Sequence, residues 1–242
     1  MEYITSEWNG FEMRQFELDG RITKVICPKE PREDKKWLLK TEYLDFFPAF
    51  EIEMLSRGYY VAYIQNITRW CKEQDTDARK MLCEFLINEF GFYPRCVPVG
   101  MSCGGMQAVY FASKYPQYVP VMYLDAPVLN LLSCPCGLGT AESKLYDEYF
   151  KAMGKTKSEL LNFRDHPIDR VDGIIANNVP VFLVCGDSDV TVPYEENGMI
   201  LAEKYLKSNV PFKQIVKKEC GHWPHGLEDP TPVADFVEEY YK

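Results

Sequence analysis

The sequence predicts an α/β fold, in which a mostly parallel sheet of about eight strands carries helices on both faces and a small helical cap. Three observations predict it. Short apolar segments alternate with amphipathic ones along most of the 242 residues, as in a parallel sheet wrapped by helices. Near the N-terminus, two alternating segments flank Asp19-Gly20, which indicates an antiparallel hairpin. A Gly-x-Ser-x-Gly sequence at 100–104 lies between a predicted strand and a predicted helix. We expect a single domain over residues 1–242.

The predicted elements follow in chain order. The hairpin covers 11–18 and 22–27, and a charged loop with two prolines covers 28–36. Short apolar segments predict further strands at 37–41, 59–64, 96–100, 119–124, 179–185 and 212–216. Amphipathic segments predict helices at 43–56, 75–90, 103–115, 194–207 and 232–241.

Residues 126–178 form the one long interval without a predicted strand. It holds a Cys- and Gly-containing loop at 134–139 and helical residues at 141–161. An insertion there would lie over the carboxyl ends of the strands, where open α/β sheets bind ligands. We therefore expect a small cap of one or two helices. Its Cys134-Pro-Cys136 sequence lacks a second cysteine pair or a histidine ligand, so we expect a structural loop, and neither a metal nor a cofactor.

The composition excludes several classes of protein. With 27 Lys+Arg against 36 Asp+Glu the formal charge is −9, which is not the basic footprint of a nucleic-acid binder. No apolar segment approaches the ~20 residues of a membrane-spanning helix. The N-terminal residues carry no secretory signal and the nine cysteines form no disulfide framework, so we expect a cytoplasmic protein acting on a small molecule. For the oligomeric state of this protein, a homodimer is the expected alternative to a monomer, because it is the commonest oligomer.

Ser102 is the candidate nucleophile. Its motif, Gly100-Met101-Ser102-Cys103-Gly104, stands at a strand-to-helix turn, which is the setting of a nucleophile elbow. The residues around such a serine must be small because backbone and helix approach each other there. The start of the following helix points free N–H groups at developing negative charge.

The base must come from three histidines. His222 and His225 share a loop after the last predicted strand, and this place matches the chain order Ser…Asp…His of such enzymes. His222 directly follows a glycine and is the predicted base, with His225 as the reserve. His166 lies in the least regular region and is expected to be structural.

The acid that orients the base should follow a strand end between Ser102 and His222. Asp189 follows the most apolar strand and precedes Val-Thr-Val-Pro, so it is the predicted acid. Asp187 is expected to brace the same turn through local hydrogen bonds. Asp125, after strand 119–124, is the alternative.

Two backbone donors are needed for an oxyanion hole. The N–H of Cys103, directly after the nucleophile, is one. The second should come from the loop after strand 37–41, and we choose Glu42. Three side chains are expected to border the substrate pocket: Lys40, Met101 and His225. Three aromatic residues of the cap, Tyr146, Tyr149 and Phe150, are expected either to line the pocket or, equally, to pack in the core.

On these motifs the chain resembles the α/β-hydrolase superfamily over nearly its whole length, and more narrowly bacterial hydrolases of esterase or peptidase-like type. The resemblance implies Ser102 as nucleophile, Asp189 as acid and His222 as base. Arginine is common in such relatives where Cys103 and Lys40 stand here. The stretches that carry the resemblance are Trp37–Lys40, Phe46–Phe50, the elbow at 100–105, Asp125–Pro127, His166–Asp169, 186–197 and 221–236.

The sequence thus predicts a serine hydrolase that cleaves a small carboxylic ester through an acyl-enzyme. A peptidase or an acyltransferase on the same triad is one alternative, because pocket shape selects the acceptor. A non-catalytic protein of this fold that binds a small ligand is the other.

Overall fold

The computed structural model describes residues 2–242. Nine strands form one sheet in the order β1-β2-β3-β5-β4-β6-β7-β8-β9. Their bounds are β1 (Ile4–Trp8), β2 (Phe11–Leu18), β3 (Arg21–Cys27), β4 (Trp37–Lys40), β5 (Tyr60–Ile64), β6 (Cys96–Met101), β7 (Met122–Asp125), β8 (Val181–Gly186) and β9 (Phe212–Lys217). The predicted fold is confirmed, with nine strands in place of about eight.

The first three strands form an antiparallel meander, and β3 pairs antiparallel with β5. From β5 to β9 every pairing is parallel, so the carboxyl ends of β4, β6, β7 and β8 meet at one edge of the sheet. The strand missing from the prediction is β1. Only Trp8 of its five residues is buried, so this edge strand lacks the apolar alternation that marks a strand in sequence.

Helices cover both faces of the sheet. Their bounds are α1 (Ala49–Ser56), α2 (Glu73–Phe90), α3 (Cys103–Lys114), α4 (Tyr146–Met153), α5 (Lys157–Asn162), α6 (Val171–Ala176), α7 (Gly198–Leu206) and α8 (Thr231–Tyr240). The core residues of α1 and α8 pack on one face, and those of α2, α3, α6 and α7 pack on the other. In β8, for example, Phe182 and Val184 face α8, while Val181 and Leu183 face the opposite layer.

Two predicted boundaries differ from the structure for reasons that involve proline. The helix predicted over 43–56 begins only at Ala49, because Pro48 disfavours helical backbone at the preceding residue, and Phe47 has a φ of +47°. The segment 41–48 is consequently a loop at the carboxyl end of β4. The strand predicted at 119–124 begins at Met122, after Pro120, which has no N–H to donate to a ladder.

Within residues 126–178 the structure has helices α4, α5 and α6 and no strand. Helix α6 packs into the main core, whereas α4 and α5 contribute to a separate apolar cluster that also contains Cys103 and Met106 of α3. An ion pair between Arg69 and Glu148 joins α4 to the loop after β5, and the indole of Trp70 donates to the same carboxylate at 2.9 Å. Helices α4 and α5 therefore lie against the first turns of α3.

Candidate active site

Ser102 stands at the turn between β6 and α3 with a φ of +53° and a ψ of −120°, a backbone conformation that is strained for a residue with a side chain. Three hydrogen bonds hold it. Its N–H donates to the carbonyl of Asp125 at 2.9 Å, and its own carbonyl accepts from the N–H groups of Gly105 and Val128 at 2.9 and 3.0 Å. The sharp turn leaves the hydroxyl partly exposed at the carboxyl edge of the sheet.

Two positions of the elbow must be glycine because neighbouring atoms leave no room for a Cβ. A Cβ on Gly100 would lie 2.7 Å from the carbonyl oxygen of Gly104. A Cβ on Gly105 would lie 2.3 Å from the Cβ of Pro127, closer than real Cβ atoms approach. The motif Gly-x-Ser-x-Gly does not include Gly105, although the sequence signals it by the doubled glycine.

The structure brings the three predicted triad residues into one hydrogen-bonded line. The Oγ of Ser102 is 3.0 Å from Nε2 of His222, and Nδ1 of His222 is 2.7 Å from Oδ2 of Asp189. The other oxygen of Asp189 accepts from the N–H groups of Thr191 and Val192 at 2.9 and 2.8 Å. These two bonds fix the carboxylate, so that its free oxygen faces His222. In this arrangement Nδ1 carries the proton, and Nε2 can accept one from Ser102.

Asp187 holds the turn after β8 through local hydrogen bonds, as the sequence predicts. Its Oδ1 accepts from the N–H of Glu219 at 2.7 Å and from the hydroxyl of Ser188 at 2.9 Å. These contacts tie the turn that carries Asp189 to the loop that carries His222. Asp187 has no bond to His222.

Among the backbone N–H groups near Ser102 that are without an acceptor in residues 2–242 are those of Cys103 and Glu42. A Cβ on Gly104 would lie 3.5 Å from the nitrogen of Glu42, so this N–H lies beside the first turn of α3. An oxyanion hole requires such a pair of free donors next to the nucleophile. The arrangement is consistent with both predicted donors.

A polar network, absent from the sequence prediction, holds the loop of Glu42. The carboxylate of Glu42 accepts from Asn66 Nδ2 at 2.8 Å and from Gln107 Nε2 at 3.0 Å. Asn66 also donates to the carbonyl of Thr41, and the buried guanidinium of Arg79 donates to that carbonyl and to Asn66. The sequence signal for Arg79 is a charge one turn before Leu82, on the face of α2 that is buried.

The thiol of Cys103 is buried against the cap, and this burial raises its pKa to about 11. The nearby guanidinium of Arg69 acts in the opposite direction. At neutral pH the side chain is therefore a protonated, packed thiol, and its N–H is the group that faces the site.

The other two histidines do not contact Ser102. His225, the reserve base, bonds instead to Asp125, the alternative acid, through Nδ1. Burial lowers the pKa of His225, while Asp125 acts to raise it. His166 accepts the N–H of Leu131 on its Nδ1 at 3.3 Å, a structural place within the 126–178 segment.

Lys40, Met101 and His225, the first three residues expected to border the pocket, are all buried in this structure. Lys40 is 1% exposed, and its ammonium is 2.5 Å from the carboxylate of Glu51. With Met101 it lines a small cavity of about 10 Å³ behind the elbow. A role of either residue in contacting substrate stays a prediction that this burial disfavours.

The cap aromatics differ in exposure. Tyr149 is buried, with its ring 5.3 Å from that of Trp70, whereas Phe150 is 45% exposed. Tyr149 lines a cavity of about 230 Å³ between α3 and the cap. No triad residue lines that cavity, so it is separate from the catalytic line.

The exposed ring of Trp223 borders His222, and two phenylalanines of the loop after β4 lie at the same end of the sheet. Trp223 is 56% exposed, and its ring is 5.3 Å from that of His222 and 5.4 Å from that of Phe47. Phe46, on the same loop as Glu42, is also 56% exposed. We call Phe46, Phe47 and Trp223 the aromatic rim.

Over the described part of the chain, no cluster of three or more His, Cys, Asp or Glu side chains could hold a metal ion. In the same residues no helix is long and apolar enough to cross a bilayer.

The fold is shared with solved peptidase structures. A puromycin-hydrolyzing peptidase of Mycobacterium tuberculosis matches with a TM-score of 0.73 and 15% identity, over 94% of this chain and 38% of its own. An acylaminoacyl peptidase of Pyrococcus horikoshii matches with a TM-score of 0.70 and 17% identity, over 88% of this chain and 38% of its own. Dipeptidyl peptidase 4 of Porphyromonas gingivalis matches with a TM-score of 0.68 and 14% identity, over 97% of this chain and 36% of its own. This chain therefore spans somewhat over a third of the length of these structures.

Among curated proteins no match is found. The model of the prolyl oligopeptidase family, Peptidase S9, matches residues 54–241, which is well over half of the sequence and includes Ser102, Asp189 and His222. The α/β-hydrolase resemblance predicted from the motifs is confirmed, and its narrower form is a serine peptidase family. The chain belongs to the prolyl oligopeptidase family.

Proposed function

We propose that this protein is a serine peptidase-type hydrolase that cleaves the amide bond of small acyl or aminoacyl compounds through an acyl-enzyme. The observation that carries the proposal is the line from Asp189 through His222 to Ser102, with free N–H groups at Cys103 and Glu42 beside it. Membership of the prolyl oligopeptidase family favours an amide over the ester expected from the sequence.

In the first step, Nε2 of His222 takes the proton of Ser102 while Oγ attacks the substrate carbonyl carbon. The developing oxyanion is held by the N–H groups of Cys103 and Glu42, and each such donor is typically worth about 10²–10³ in rate. Asp189 keeps Nδ1 of His222 protonated and stabilises the imidazolium. His222 then gives its proton to the leaving amine, and the acyl group stays on Ser102.

In the second step, a water molecule gives a proton to Nε2 of His222 and attacks the acyl-enzyme. The same two N–H groups hold the second tetrahedral intermediate. Collapse of this intermediate returns the proton to Ser102 and releases the acid. No group beyond the triad and the two donors is needed for either step.

The aromatic rim supports an apolar leaving group. Because His222 delivers a proton to the leaving nitrogen, that part of the substrate lies on the side of His222, where the exposed ring of Trp223 stands. Aromatic and apolar groups pack favourably on such a ring. We therefore propose amides of aromatic or bulky apolar amines as substrates.

A small carboxylic ester is the second candidate. The triad has no group that distinguishes an ester oxygen from an amide nitrogen, and an ester is the easier bond to break by the same steps. An acyltransferase would use an alcohol or amine in place of water in the second step.

Matched substrates separate these candidates. Turnover of an aminoacyl p-nitroanilide is compared with that of the p-nitrophenyl ester of the same aminoacyl group, with and without an added alcohol. We expect hydrolysis of the anilide, and in Ser102→Ala no turnover of either substrate. Hydrolysis of the ester alone would favour the esterase, and formation of a new ester would favour the acyltransferase.

A fluorophosphonate probe tests catalysis itself. It should label the wild-type protein on Ser102 and leave the folded S102A variant unlabelled. A folded wild-type protein that forms no adduct would contradict the proposal and favour a non-catalytic binding protein.

We also propose a cytoplasmic location. All nine cysteines are free thiols, and Cys83 and Cys96 remain unbonded with their sulfurs 3.8 Å apart. Free thiols in such number are typical of a reducing compartment. The homodimer and the absence of nucleic-acid binding stay predictions, which sedimentation and a DNA-binding assay would test.

A further inference from the structure

A second histidine–aspartate pair lies beside the catalytic line. Nδ1–H of His225 donates to Oδ1 of Asp125, and the two side chains are 0% and 3% exposed. The rings of His225 and His222 are 4.7 Å apart and nearly perpendicular, at 80°. A buried ionisable pair of this kind is unfavourable to desolvate, so its place next to the triad calls for a reason.

Asp125 contacts both halves of the catalytic machinery. Its backbone carbonyl accepts the N–H of Ser102 at 2.9 Å, at the nucleophile elbow. Its carboxylate accepts from His225 and from the N–H of Gly226 at 2.7 Å, in the loop that carries His222. The hydroxyl of Tyr123 donates to the same carboxylate at 3.2 Å. One residue at the end of β7 thus fixes the elbow and the histidine loop relative to each other.

We propose that Asp125 and His225 form a positioning pair, which holds His222 in line with Ser102 and places a second negative charge near the imidazolium that forms during catalysis. This proposal rests on the proposed function, since it concerns the same acyl transfer. The pair does not touch substrate. Asp189 remains the direct partner of His222.

The charges around the pair support this role. His225 faces Asp125, His222 and Lys217, and the ring of Phe47 packs against it at 5.7 Å. Lys217 of β9 donates to the carbonyls of Pro224 and Gly226 at 2.5 and 3.0 Å. Burial lowers the pKa of His225, with His222 and Lys217 acting in the same direction and Asp125 acting against them, and the net direction favours a neutral imidazole beside Asp125.

The sign of the effect on His222 follows from this arrangement. A carboxylate near His222 stabilises the positively charged imidazolium that forms during catalysis, in addition to the effect of Asp189. Neutralising Asp125 should therefore shift the acid limb of the kcat/KM profile to lower pH. A role limited to holding the loop would leave that limb in place.

Three variants test the pair with the anilide substrate. In Asp125→Asn the charge is lost; in His225→Phe the ring is kept and the donor is lost; in His225→Asn an amide N–H replaces Nδ1–H. We expect kcat to fall about 10–100-fold in D125N and H225F with KM within about threefold, and about threefold or less in H225N. Asp235→Asn, which removes an exposed surface charge, is the control and should behave as wild type.

The outcomes separate this proposal from the proposed function. Wild-type kcat in folded D125N and H225F, while S102A is inactive, would overturn the positioning pair alone. Lowered activity with an unmoved acid limb in D125N would overturn its electrostatic part. If D125N does not fold, H225F and H225N decide, and equal kcat in these two would overturn the pair. Full activity of S102A would overturn the proposed function instead.

Discussion

Gly186 and Cys220 are in direct contact where the acid and base loops meet. A Cβ on Gly186 would lie 2.2 Å from the carbonyl oxygen of Cys220, which also accepts the N–H of Ser188 at 3.0 Å. The end of β8 therefore packs without any side chain against the start of the loop that carries His222. This contact holds the turn that carries Asp189 against the loop that carries His222.

Gly186→Ala should consequently displace the histidine loop. We expect kcat/KM to fall at least about 100-fold, because an ångström of displacement in a triad has an effect of that order. The rate of fluorophosphonate labelling should fall with it. Gly173→Ala is the matched control, since a Cβ at Gly173 meets no atom within 4 Å, and it should keep wild-type activity. Unchanged labelling in G186A would contradict this account of the contact.

The network behind Glu42 leads to a second prediction. Gln107 donates to the carboxylate of Glu42 and to the carbonyl of Arg69, both at 3.0 Å, while its own Oε1 has no partner in the part of the chain that the structure describes. Gln107→Met removes both bonds with little change in shape. We expect kcat to fall about 3–10-fold at similar KM, because the Glu42 N–H is held less firmly.

Gln117→Met is the control for this substitution, since Gln117 is an exposed glutamine. Steady-state kinetics on both variants decides the matter. A rise in KM with unchanged kcat in Q107M would assign the network to substrate binding rather than to the oxyanion donor.

The buried ion pair of Lys40 and Glu51 makes a prediction about stability. Lys40→Met leaves the carboxylate of Glu51 buried without its partner, which should lower the free energy of unfolding by about 3–5 kcal/mol. The double variant Lys40→Met with Glu51→Leu removes both charges and should recover most of that loss. Urea unfolding of the two variants tests this.

The same variants examine the expected pocket role of Lys40. If Lys40 only stabilises the fold, K40M with E51L should keep the wild-type KM. A raised KM in the stable double variant would instead favour the contact with substrate that the sequence predicts.

The three residues of the catalytic line could be predicted because each is marked by a motif or by its position after a strand. Ser102 has its motif, Asp189 follows the most apolar strand, and His222 comes after the last strand in a chain with three histidines. Their meeting follows from parallel topology, which places the carboxyl ends of β6 and β8 on one edge with the loop after β9.

The residues that sequence reasoning missed have long-range partners. From sequence Asp125 and His225 are each an alternative to a triad member, and only the fold shows that they bond to each other across 100 positions. Asn66 and Gln107 carry no motif, because their contacts to Glu42 come from separate elements. Edge strand β1 was missed because pairing with β2, rather than burial, holds it in place.

Thiol burial leads to a fourth prediction. Eight of the nine cysteines are buried, and Cys220 is the partly exposed one. Burial raises the pKa of Cys103 to about 11 and that of Cys134 to about 12, so at pH 8 only about one Cys103 thiol in a thousand is ionised. Iodoacetamide should modify Cys220 first in the native protein. Peptide mass mapping that finds Cys103 alkylated first, with the fold intact, would contradict this.

The last prediction concerns Trp223 and the leaving group. Its ring is 56% exposed beside His222 and packs on Phe47, so it can hold an aromatic group that leaves with the proton from His222. Trp223→Ala should raise KM for an aminoacyl p-nitroanilide about 10-fold, since loss of one aromatic contact with its buried area is worth about that factor. For the methylamide of the same acyl group KM should change less than about twofold. Trp223→Phe keeps a ring and should restore most of the anilide affinity, and Tyr3→Ala, an exposed aromatic on the N-terminal segment, is the control. An equal rise of KM for both substrates in W223A would show that Trp223 shapes the histidine loop rather than the leaving-group side.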